Sequence, residues 1–203
     1  QNLRTDQTFL EPLRWNDQSE IGRANDMREV VRRVAADKQV GPIVDIKRIG
    51  AIGHSLGGYT VVGLAGGWPT WTLPQLKAVV ALSPYIAPFV AHRTLDRLAA
   101  PVMYQGAQFD WGITPVLEGP TGAYAQSSTP KYYLKLKGGT HLEWTNFVCA
   151  GQPNVVACLK ANRNAYLIDR YSIEFLDRYL KDKPAPALDS KGAGLERYVF
   201  ELR

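Results

Sequence analysis

A serine hydroxyl is a weak nucleophile at neutral pH and needs a base, most often a histidine held by a carboxylate, to take its proton. This chain carries one serine set among glycines, Gly53-His54-Ser55-Leu56-Gly57-Gly58, and three histidines. Gly53-x-Ser55-x-Gly57 is the pattern of a nucleophile elbow, a strand-to-helix turn that holds its serine exposed above a sheet. The turn is so tight that side chains two residues before and after the serine are expected to collide, which asks for glycine at both. His54 adjoins the serine but is expected to point across the turn and pack, and His92, in a Pro/Ala-rich stretch, reads as a surface residue. His141 follows Gly138-Gly139-Thr140, where a loop can swing an imidazole over a sheet edge. For the acid, Asp110 follows an apolar run in a short loop, whereas Asp96 falls on a predicted helix and Glu118 deeper in a Gly/Pro loop. The order Ser55, Asp110, His141 is the one expected of this elbow. No phosphate loop, dinucleotide fingerprint or Cys/His metal spacing accompanies it, so neither a metal nor a cofactor is called for.

The elements that must position these residues follow from periodicity. Asp17-Gln18-Ser19-Glu20 reads as a capping box. Ile21, Ala24, Met27, Val30, Val31 and Val34 then recur at helical spacing over residues 20–36, closed by Gly41-Pro42. Residues 48–52 form a short strand that runs into the elbow, and a helix follows over 59–65. Further strands are predicted at 77–82, 101–106 and 131–136, with a short helix at 95–99 and an amphipathic helix at 164–180 stopped by Lys183-Pro184-Ala185-Pro186. Strands alternating with helices predict an α/β protein with a mostly parallel sheet of about four visible strands. Three of these elements end at one sheet edge, which is where such sheets bind ligands.

A length of 203 residues predicts one domain spanning 1–203, and 45% hydrophobic with 21% charged residues excludes disorder. Lys and Arg number 24 against 19 Asp and Glu, a net charge of +5. The basic residues are scattered and lack a stacking or base-reading motif, which argues against nucleic acid. No apolar run approaches the ~20 residues that span a bilayer. Gln1 rather than Met opens the chain, an expectation of residues removed or left out upstream. Cys149 and Cys158 read as a disulfide stapling a polar loop, which suits an oxidising compartment, with two free thiols in a cytosolic protein as the alternative.

Four segments resemble the dienelactone hydrolase-like and cutinase-like polyester hydrolases of the α/β-hydrolase superfamily. They are Ile52 to Gly58, Leu76 to Tyr85, Ala100-Pro101-Val102 leading to Asp110, and Leu136 to His141. The likeness runs through about residues 20–180. It implies an α/β-hydrolase fold, Ser55 as nucleophile, Asp110 as acid, His141 as base and the Leu56 N–H as an oxyanion donor. It implies an ester substrate, short-chain or an aromatic polyester, and a place for Tyr85 as an aromatic clamp; Trp111 and Trp144, each within three residues of a predicted site element, read as further substrate contacts, with core or rim packing as the alternative. The cysteine pair resembles dienelactone hydrolase-like and platelet-activating-factor-acetylhydrolase-like proteins more closely. Secretion or a periplasmic location is the expectation, with the cytoplasm as the alternative. The chain departs from the family in lacking the N-terminal strands and the loop that supplies a second oxyanion N–H, a donor whose loss costs ~10²–10³ in turnover. Two expectations follow. The elbow strand has a partner on one side only and draws a second copy or a complementing N-terminal segment. The alternative to an esterase is an inactive hydrolase-like fragment that serves as a binding module.

Overall fold

Strands buried on both faces carry apolar residues at successive positions, as in Leu76-Lys77-Ala78-Val79-Val80-Ala81-Leu82. In the computed structural model, which describes residues 9–203, that segment is an interior strand. The sheet holds β1 (Ile49–His54), β2 (Leu76–Leu82), β3 (Val102–Ala107), β4 (Lys131–Leu136) and β5 (Leu195–Glu201), side by side in that order. β1 to β4 are parallel, with Ala51 beside Val79, Val80 beside Met103 and Met103 beside Tyr132. β5 runs antiparallel to β4. The four predicted strands are therefore five. Leu195-Glu-Arg-Tyr-Val-Phe-Glu escapes a hydrophobic reading because it is an edge strand with four of its seven residues exposed.

Alternation along each strand divides the core in two. Val79, Ala81, Val102, Tyr104 and Tyr133 face a layer with Trp15, Tyr59, Trp71 and Phe89. That layer holds α1 (Ile21–Ala36), α2 (Leu56–Val62) and α3 (Ala87–His92). Ala78, Val80, Met103, Tyr132 and Leu134 face Leu167, Tyr171 and Phe175 of the long helix on the other side. Between β3 and β4 lie two short helices, α4 (Thr114–Leu117) and α5 (Ala123–Gln126), and after β4 come α6 (Val155–Ala161) and α7 (Arg163–Lys181). The Asn162 side chain caps α7 by accepting from the Asn164 and Ala165 amides. Burying Phe175 fully contributes about 1.5–3 kcal/mol.

The capping box at Asp17 does not form. Helix α1 starts at Ile21 after Glu20 in a left-handed conformation, with no side-chain cap. The Asp17 carbonyl instead accepts from Trp71 Nε1 at 2.7 Å and its carboxylate from Thr70 at 3.1 Å, so the turn before α1 is tied to the loop that precedes β2. Among the described residues β1 pairs only with β2 and is an open edge of the sheet, with Ile52 half exposed. Among the described residues no helix is long and apolar enough to cross a membrane.

Candidate active site

The turn from β1 into α2 puts Ser55 at φ 55°, ψ −117°, a conformation costly for a residue with a Cβ and typical of functional sites. Three backbone bonds hold it there: its N–H donates to the Leu82 carbonyl at 3.0 Å, and its own carbonyl accepts from Tyr59 at 3.1 Å and Tyr85 at 3.0 Å. Gly53 is needed because a Cβ there would lie 2.2 Å from the Gly57 carbonyl oxygen. Gly57 itself faces open space; the second tight contact belongs to Gly58, where a Cβ would meet Pro84 at 2.5 Å. The expected collision two residues after the serine is therefore one residue further on.

His141 stands on the loop after β4 and reaches back over the sheet edge, its Nε2 3.1 Å from Ser55 Oγ. With the ring proton on Nδ1, Ser55 donates to Nε2, the arrangement a general base requires. Asp110, 4% exposed, lies on the loop after β3, which is closed by the Ile113 and Thr114 amides donating to its carbonyl. Phe109 N–H donates to the Gly139 carbonyl at 2.8 Å, joining the acid's loop to the base's loop. Asp110 Oδ2 is 3.3 Å from His141 Nδ1. The three residues singled out in the sequence thus meet in one place.

Sequence reasoning missed Ser83. Fully buried at the end of β2, its hydroxyl lies 2.8 Å from His141 Nδ1 and hydrogen-bonds Asp110 Oδ2. His54 packs, as its sequence position suggests, and its partner is the imidazole of His141 (ring centroids 4.8 Å apart), to whose carbonyl its Nε2 donates at 2.9 Å. Burial holds the His54 imidazole below its ordinary range, and the charge His141 can carry pushes the same way. The His141 carbonyl and Asp110 oppose the shift. No sequence pattern marks Ser83. Its place directly after β2, at the edge where β1, β3 and β4 also end, is the one signal that could have found it.

No family model matches the chain. Curated proteins do. Cutinase 2 of Thermobifida cellulosilytica is 29% identical over 147 residues, 71% of this chain and 46% of that protein. Cutinase cut1 of Thermobifida fusca is 29% identical over 147 residues, covering 71% of this chain and 38% of its own length. A bis(hydroxyethyl) terephthalate hydrolase of Streptomyces coelicolor is 27% identical over 141 residues, 68% of this chain and 37% of the relative. The mostly parallel sheet with helices on both faces is an α/β fold, and the chain is similar to cutinases. The chain spans less than half the length of these curated relatives.

The predicted aromatic contacts separate in the structure. Trp111 is 77% exposed beside Phe109 on the Asp110 loop. Trp144 stacks on His54 and donates from Nε1 to Gln105 at 3.0 Å. Tyr85 is only 5% exposed. Phe9 meets its ring edge-on at 4.8 Å, its hydroxyl donates to the Phe9 carbonyl, and burial pushes the phenol up to about 12. Its backbone N–H donates to the Ser55 carbonyl. Leu56 opens α2, so its N–H has no acceptor within the helix and is free to meet a ligand oxygen. Cys149 and Cys158 form a disulfide that pins the loop after His141 to α6. His92 lies exposed at 3.2 Å from the Leu13 carbonyl, and Glu118 bonds Tyr133 and Lys135, both away from Ser55. Among the described residues no group of three or more His, Cys, Asp and Glu could hold a metal ion.

Proposed function

We propose that the chain is a serine carboxylic-ester hydrolase working through an acyl-enzyme. The observation that carries this reading is the 3.1 Å contact from Ser55 Oγ to His141 Nε2 at a strained, partly exposed elbow, with a buried acid behind the ring. Ser55 Oγ attacks the ester carbonyl carbon as its proton passes to His141 Nε2. The tetrahedral oxyanion takes the Leu56 N–H, and the C–O bond to the alcohol breaks as His141 returns the proton to the leaving oxygen. Water then repeats the sequence on the acyl-serine and releases the acid. Asp110 keeps the ring proton on Nδ1 and stabilises the imidazolium.

Ester rather than amide substrates follow from the relatives, cutinases and a bis(hydroxyethyl) terephthalate hydrolase. Short acyl esters and aromatic polyesters are the substrate classes assigned, with Trp111 and Trp144 as the aromatic contacts. The disulfide favours a secreted or periplasmic protein. The open edge of β1 is assigned to pairing, with a second copy or with a segment that completes the sheet. Light scattering that finds a fully active monomer at micromolar concentration overturns that assignment.

The test is hydrolysis of p-nitrophenyl butyrate and of a polyester film by pure protein, with Ser55→Ala as control. Ser55→Ala is expected to lower kcat by ~10⁴-fold or more, and a fluorophosphonate probe to label Ser55 alone. Full activity in Ser55→Ala, or labelling of a different serine, refutes the mechanism. A protein that takes up the probe nowhere and hydrolyses neither ester supports the competing reading, a hydrolase-like binding module.

A further inference from the structure

A carboxylate that orients a histidine usually touches it directly, with charge-assisted N–H···O distances of ~2.7–2.9 Å. Here Asp110 Oδ2 is 3.3 Å from His141 Nδ1, while Ser83 Oγ is 2.8 Å away and itself bonded to Asp110 Oδ2. A hydroxyl can accept with its lone pairs and donate with its hydrogen at once. With the ring proton on Nδ1, Nδ1–H donates chiefly to Ser83 Oγ and Ser83 O–H donates to the Asp110 carboxylate.

We propose that Ser83 is a positioning residue of the proton-transfer machinery, a bridge through which Asp110 orients and stabilises His141. The proposal rests on the acyl-transfer reading for its kinetic consequences. The proton that moves is Ser55's, to Nε2; the Nδ1 proton and the Ser83 proton stay on their atoms. When the ring becomes cationic, Nδ1–H binds Ser83 Oγ more tightly, and the O–H dipole, already aligned on the carboxylate, presents its negative end to the new charge.

Several features hold this bridge in place. Ser83 is fully buried, so water does not compete for its hydroxyl. Its N–H donates to the Gln105 carbonyl at 2.8 Å, fixing the residue to the end of β3. Its φ of 40° is a left-handed value that a serine adopts at a cost and a glycine does not. From the other side His54 donates to the His141 carbonyl, and Trp144 backs His54 while bonded to Gln105, whose amide nitrogen in turn donates to Ser172 on α7. The imidazole is held from both sides by groups rooted in β2, β3 and α7.

Two variants test the bridge. Ser83→Ala removes the hydroxyl and keeps the Cβ. Ser83→Gly removes both and suits the positive φ, so it folds if the site can fold at all. Each is expected to lower kcat on p-nitrophenyl butyrate by about 10- to 100-fold with KM little changed. The acid limb of the kcat/KM profile is expected to move to lower pH, because the imidazolium has lost an acceptor. The Nδ1–H resonance of His141, observed far downfield in the proton NMR spectrum and assigned with His141→Gln, is expected to be lost or shifted upfield. Rates within twofold of the unmodified protein with an unmoved acid limb, or an unchanged Nδ1–H resonance, overturn the proposal. An unmodified protein that hydrolyses no ester defeats the acyl-transfer reading alone, since the resonance in Ser83→Ala still decides whether the hydroxyl holds the ring.

Discussion

Alanine at Gly53 and alanine at Gly57 are expected to act in opposite ways, although the elbow pattern treats the two glycines alike. A Cβ at 53 would lie 2.2 Å from the Gly57 carbonyl oxygen and 2.3 Å from its carbon. Ordinary contact begins near 3.4 Å, and these neighbours are backbone atoms with no rotamer to change. The start of α2 must therefore move by roughly 1 Å, and Ser55 sits between the two glycines. A displacement of that size stretches the 3.1 Å contact from Ser55 Oγ to His141 Nε2 beyond hydrogen-bond range and costs ~10²-fold in rate. Overpacking of this kind costs about 1–3 kcal/mol, or about 2–12 °C in Tm for a chain of this length. At Gly57 a Cβ meets nothing, and replacing a helical glycine by alanine stabilises by about 0.5–1 kcal/mol. Gly57→Ala should melt about 1–4 °C higher and keep its rate within about threefold. Circular-dichroism melts and initial rates on p-nitrophenyl butyrate read both effects. Gly57→Ala losing as much activity as Gly53→Ala, or Gly53→Ala keeping its rate within threefold, would refute the geometric account.

Opening the disulfide with Cys149→Ser and Cys158→Ser frees a loop of sequence separation 9 and should cost about 2–3 kcal/mol in the chain-entropy model, lowering Tm by about 4–12 °C. A melt that is the same with and without reductant counts against this. His54 gives a pH dependence whose sign is fixed by its lowered folded value. As pH falls below the ordinary 6.5, the unfolded chain takes up a proton at His54 that the folded chain refuses, so stability falls with pH in that window and is recovered above it. The difference in Tm between pH 7.5 and pH 5.5 should therefore shrink in His54→Gln, and an unchanged difference would show that His54 is not held neutral by burial.

The parts of the fold that read directly from the sequence are those where one physical signal dominates. Leu76–Leu82 is apolar on both faces, and residues 163–181 keep a helical apolar stripe through Leu167, Tyr171 and Phe175, so each element follows from its own composition. Capping at Asp17 fails because the competing partners, Thr70 and the Trp71 indole, come from far along the chain. β5 fails because its partner is on one side only and its outward residues are charged. The resemblance implies a clamp role for Tyr85, but the segment carrying Phe9 and Trp15 covers its ring. Local patterns report what a segment can do, and these three positions are decided by what another segment brings to them.

The case of Ser83 follows from topology. Ser55 follows β1, Asp110 follows β3 and His141 follows β4, so the nucleophile and the acid belong to strands separated by β2. Neighbouring strands lie ~4.8 Å apart, which puts the ends of β1 and β3 nearly 10 Å apart. An imidazole bridging that gap must pass over the end of β2, and the residue there, Ser83, lies beneath its Nδ1 edge. An apolar side chain at that position would leave a buried carboxylate facing hydrocarbon, with only the 3.3 Å contact to the ring. A small hydroxyl fills the space and satisfies both neighbours. The strand order that brings the three residues together therefore also creates the position that a fourth must occupy, and the polar chemistry on either side of it selects serine.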